Sequence, residues 1–136
     1  MNSVFTRYEI ATGKGIDQLL LPDNPAWINL YYDNGMAVYR GTFDPKTHYM
    51  SGGSPVERPA PGVECSLADI LADGEDTAEL SGLPVPCVAR ISGPTGFSEL
   101  SVPHGVLLFS ASVPGAYRVQ IEAFPFLDWE VTINAV

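Results

Sequence analysis

His48 lies between Thr47 and Tyr49, shortly after Asp44. A carboxylate beside an imidazole can orient it as a base or a ligand. No nucleophile stands in a recognisable elbow such as G-x-S-x-G, so the spacing favours a packed strand residue over a catalytic one. His104, in Val102-Pro103-His104-Gly105, reads as a turn residue. Asp73, Glu75 and Asp76 form part of a calcium-loop pattern. Calcium needs about six to eight oxygens from acids spread along a loop, and Asp-Gly is a common turn pair. Cys65 and Cys87 allow at most one internal disulfide. With no secretory signal in MNSVFTRYEIATGKG, they read as two thiols buried as small apolar side chains. Zinc needs about four ligands at close spacing, which two distant Cys and two distant His do not supply. The expectation is therefore a non-enzyme with no catalytic residue, no metal and no cofactor.

Aromatic side chains carry the stronger binding signal. Trp27, Tyr31, Tyr32 and Tyr39 surround Asp33-Asn34-Gly35, and aromatic faces stack on sugars or anchor protein interfaces. Alternation sends Trp27 or Tyr32 inward and leaves Tyr31 or Tyr39 facing out or into a partner. The expected interface set is Trp27, Tyr31 and Tyr39, joined by His48 and Tyr49.

These residues belong to a chain of 136 residues with 46% hydrophobic and 17% charged content, a globular composition. The net charge is −9, with two lysines and five scattered arginines. Binding to phosphates needs clustered bases, so neither nucleic acid nor an anionic membrane surface is expected as a partner. The longest apolar run, near residues 106–109, is far too short to span a bilayer.

The elements that hold these residues read as strands. Residues 2–11 alternate, Thr12-Gly13-Lys14-Gly15 turns, and IDQLLLP follows as a strand or irregular apolar segment ending at Pro22-Asp23-Asn24-Pro25. WINLYYDNGMAVYRGTF reads as a hairpin on a type I′ Asn-Gly turn. The Pro- and Gly-rich stretch 44–62 reads as an excursion with one short strand near 47–50. SLADILADG is a strand or a single helical turn. Strands follow at 76–80, 86–91, 97–102 and 106–111. Two alternating runs close the chain: Tyr117, Val119 and Ile121 point one way, and Trp129, Val131 and Ile133 share a side. Pro125 removes an amide donor between them, so the ladder must break or bulge there. Roughly seven short strands with turns every 8–12 residues are the signature of an immunoglobulin-like sandwich. The expected fold is all-β, with a small N-terminal β-hairpin module over 1–60 and an Ig-like β-sandwich over 61–136. The first module is too small to bury a core comfortably alone, so it should lean on the sandwich or on another chain.

The second half, with ADGEDTAELSGLP and PGAYRVQIEA, resembles small Ig-like domains of bacterial surface and phage proteins. GTFDPKTHYMSGGSPVERP, with Asp44-Pro45-Lys46-Thr47-His48-Tyr49 before Arg58-Pro59, resembles a phrase of small tail-associated proteins of tailed bacteriophages and prophages. That resemblance implies a structural component of the tail tip or fibre, made in the host cytoplasm and carried in the virion. Its expected partners are other tail proteins and further copies of itself, with host attachment as the context. The alternative is an adhesive module that recognises surface glycans.

Overall fold

The computed structural model describes residues 1–29 and 35–136. It divides into two compact units, Met1–Pro59 and Ala60–Val136. Both are built of β-strands, and the fold is all-β apart from one short helix among the described residues.

In the first unit, β1 (Asn2–Glu9) is the centre of a three-stranded sheet. β2 (Gly15–Pro22) and β3 (Met36–Arg40) flank it, both antiparallel. Period two puts Phe5 on one face, where it forms a small cluster with Leu21 and Val38, edged by Leu19 and Ile28. On the other face the Thr6 hydroxyl is buried and donates to the Gly41 carbonyl at 2.8 Å. Tyr39 meets the buried Phe43 ring edge-on at 6.3 Å. Both sheet faces therefore contribute to the interior.

The expected hairpin takes a different form. Trp27 and Ile28 lie in a helix, α1 (Pro25–Ile28). The Asn24 side chain accepts from the Ala26 amide at 2.9 Å, and proline occupies the first turn. An Asx N-cap followed by proline is a helix start, and here that local chemistry prevails over the apolar run that reads as a strand. β3 pairs antiparallel with β1. Leu30, Tyr31, Tyr32, Asp33 and Asn34, including most of the Asn-Gly turn, lie outside the described residues.

The 44–62 excursion holds two strands where one was expected. β4 (His48–Ser51) and β5 (Ser54–Glu57) form a hairpin closed by Gly52 and Gly53, both at positive φ (62° and 86°). Two left-handed glycines make the tight turn that matches strand twist, so Gly-Gly here is a hairpin turn and not a linker. Asp44 caps the preceding turn. Its side chain accepts from the Lys46 amide at 2.9 Å, and its carbonyl accepts from the His48 amide at 2.8 Å. The buried Arg58 guanidinium donates to the carbonyls of Pro45 and Lys46 at 3.2 and 3.1 Å. The Met50 amide donates to the Gly13 carbonyl at 2.9 Å, tying this hairpin to the β1–β2 turn.

The second unit is a sandwich. A five-stranded sheet runs in the order β10-β9-β12-β13-β7 and a three-stranded sheet in the order β11-β8-β6. The strands are β6 (Glu64–Cys65), β7 (Asp69–Ile70), β8 (Ala78–Ser81), β9 (Cys87–Gly93), β10 (Gly96–Val102), β11 (Leu107–Phe109), β12 (Gly115–Glu122) and β13 (Trp129–Ala135). SLADILADG supplies one short strand, β7, and β6 lies just before it. β6 pairs antiparallel with β8, and β7 pairs in parallel with β13. The core joins Ala78, Leu80, Ala89, Val119, Ile121 and Ile133, each 2% exposed or less. β12 stops at Glu122 and β13 starts at Trp129, so the ladder breaks around Pro125 as its missing amide requires. Val85-Pro86 and Phe124-Pro125 are cis. The Tyr117 ring is buried at 5.2 Å from Phe109, and its hydroxyl donates to the Val113 carbonyl at 2.7 Å. This is the tyrosine corner of Ig-like sandwiches. Both cysteines are free thiols. Cys87 is buried in the core, and that burial pushes its thiol pKa up.

Two substitutions probe these features. A Cβ at Gly13 would sit 2.0 Å from the Met50 carbonyl oxygen, at φ +79°. Gly13→Ala should therefore cost about 2 kcal/mol or more in equilibrium denaturation, because it adds a clash to backbone strain. Tyr117→Phe keeps the ring and removes the hydroxyl bond. It should cost about 1 kcal/mol with no change in the far-ultraviolet spectrum.

Candidate functional site

The five residues singled out by sequence are placed differently from one another. Trp27 projects from α1 with half its surface exposed, while Ile28 beside it packs on the Phe5 cluster. Tyr39 is half-buried against Phe43, and a Cβ at Gly41 would collide with its ring at 2.8 Å. His48 and Tyr49 are half-buried in β4, opposite Glu57 and Val56. Tyr31 lies outside the described residues. Three of the five thus pack within the first unit, and Trp27 is the one shown to be exposed.

His48 does not meet the Asp44 carboxylate, which is taken up by the Lys46 amide. Its Nδ1 lies 2.8 Å from the Thr47 hydroxyl. The acidic turn is likewise used for structure. Asp73 Oδ1 accepts from the amides of Glu75 and Asp76, both at 2.8 Å. Asp76 accepts from the amides of Leu71 and Thr77 at 2.8 and 3.1 Å. The Asp76 and Glu75 amides hold the Asp73 carboxyl below the usual carboxylate range. Among the described residues no three His, Cys, Asp or Glu side chains gather to hold a metal ion.

A different surface stands out on the first unit. Val4 and Leu20 are cross-strand partners on β1 and β2, on the face opposite Phe5, and are 42% and 66% exposed. Ile10 and Ile16 are also exposed. The signal was available in Leu19-Leu20-Leu21. Three consecutive leucines in a strand cannot all point to one face, so one must point away from the Phe5 cluster.

The outer face of the five-stranded sheet is charged instead. Arg90 bonds Glu99 at 3.0 Å and also pairs with Glu122, and Arg118 bonds Glu130 at 2.6 Å. At one end of the sandwich, loops 82–86 and 123–128 line an apolar groove of about 440 Å³ with Val85, Pro86, Phe124 and Phe126. Charge is unevenly divided between the units. Ala60–Val136 holds ten of the sixteen acids and two of the seven bases, which leaves −8 on the sandwich and −1 on the first unit.

Comparison with protein-family models, with curated proteins and with solved structures gives no match.

The Asp73 turn has a defined pH response. A depressed folded-state pKa contributes stability above the unfolded value of about 3.9, and that contribution is lost as pH falls through the lower folded value. Protection of the Glu75 and Asp76 amides, relative to the intrinsic exchange rate at each pH, should therefore hold from neutral pH down past about 4 and fall only below it. Calcium at neutral pH should leave that protection unchanged.

Proposed function

We propose that this chain is a non-enzymatic structural component of a phage or prophage tail, at the tail tip or fibre. Its first unit assembles with further copies and with a larger tail protein, and its sandwich serves as a spacer. The observation that carries this reading is the exposed Val4–Leu20 pair on a unit of almost no net charge. Apolar cross-strand pairs left in water favour a covering partner, and a near-neutral surface does not repel copies of itself. The phrase behind the tail-protein resemblance also has a physical role here. Asp44 and Arg58 lock the turn that sets the β4–β5 hairpin.

The exposed Trp27 indole supports a second reading, a stacking platform for a surface glycan. Asn24 and Pro25 fix the helix that carries it.

The test is to purify tail particles from cells that make the chain and to probe them by mass spectrometry. The chain should copurify with the particles, and Leu20→Lys should be absent from them. An exposed site of this kind should change stability by no more than about 0.5 kcal/mol, so loss of folding would not explain that absence. Failure of the native chain to copurify, or full incorporation of Leu20→Lys, would contradict the reading. Trp27→Ala should incorporate normally and lose only glycan binding.

A further inference from the structure

Sheet edges that offer unpaired backbone groups are liabilities that folds usually shorten or block. In the sandwich, the edge strands β6 and β7 have two residues each and β11 has three. β10 is the exception. It has seven residues, keeps an unbroken register with β9 from Gly96↔Gly93 to Val102↔Cys87, and pairs with no other described strand. It contains no proline, no lysine and no bulge. Gly96, Phe97, Ser98, Glu99 and Ser101 are exposed, Phe97 at 65%.

Two outer-face rows end at this edge. One runs Glu99–Arg90–Gln120–Glu130 across four strands, and the other runs Phe97–Ser92–Arg118–Thr132. A strand added beside β10 would extend both. The position opposite Glu99 would then suit a cation, and the neighbourhood of Phe97 would suit an apolar side chain. The sandwich's two arginines are already engaged, Arg90 with Glu99 and Glu122 and Arg118 with Glu130. A second sandwich would bring −8 against −8. The charge therefore disfavours self-pairing and favours a basic partner.

We infer that the β10 edge is a docking site for an extended segment of a partner protein that places a lysine or arginine opposite Glu99 and an apolar residue, two positions along, opposite Phe97. Main-chain hydrogen bonds supply the attachment, and Glu99 selects the charge. This site is separate from the Val4–Leu20 face and stands whether or not that face assembles.

The test uses the full chain, isotopically labelled, titrated with a synthetic peptide of β10's length that carries a lysine and a valine two residues apart, to face Glu99 and Phe97. Backbone amides of Gly96–Val102 should shift and exchange more slowly. A glutamate–valine peptide should bind at least about tenfold more weakly. Glu99→Lys should reverse that preference, and Glu99→Gln should reduce it. Methylating alternate peptide nitrogens should abolish binding, because it removes the donors to the edge. The inference is overturned by three results: no shift at β10 up to about 1 mM peptide, equal binding of the methylated peptide, or β10 amides already protected in the free chain by pairing with a second copy.

Discussion

The sandwich depends on the inward row of β12. Tyr117, Val119 and Ile121 lie on the middle strand of the five-stranded sheet, flanked by β9 and β13, and all three are nearly sealed from water. Val119 and Ile121 pair across to Val131 and Trp129, and to Ile91 and Ala89 on the other side. Leu80 and Phe109 of the opposite sheet belong to the same cluster. The Tyr117 hydroxyl pins the loop that enters β12. A core so centred holds both sheets in place, and the loops and edges around it are then free to differ.

The first unit is organised by backbone rather than by side-chain volume. Its Phe5 cluster is small. The β4–β5 hairpin is fastened by the Gly13 carbonyl and by the buried Arg58, which gives main-chain oxygens a charged donor. Such a unit keeps its shape with little buried apolar area, and it leaves Val4, Leu20 and Trp27 in water.

Much of this was legible in the chain. Period-two alternation located β1, β12 and β13, because a strand with one wet face writes its burial directly into sequence. The Tyr117 corner was visible after Pro114-Gly115. Three features were obscured. The Asn24-Pro25 cap turned an apolar run into a helix. Gly52-Gly53 looked like a linker until its φ values made it a hairpin turn. The Val4–Leu20 face was hidden because apolar residues imply burial only on average. Of the candidate interface set, Tyr39, His48 and Tyr49 proved half-buried. An aromatic side chain reads the same whether it packs inward or waits for a partner.

Charge division underlies the proposal: the near-neutral unit is the one proposed to assemble, and the sandwich at −8 would repel its own copies. The most direct test is the light-scattering mass of the pure chain behind a sizing column, at low and high salt. Assembly through the first unit predicts a multiple of 14.6 kDa that persists at low salt and falls to the single-chain mass in Leu20→Lys. A single-chain mass for the native protein at every concentration would contradict it, as would an assembly that forms only at high salt and ignores Leu20→Lys.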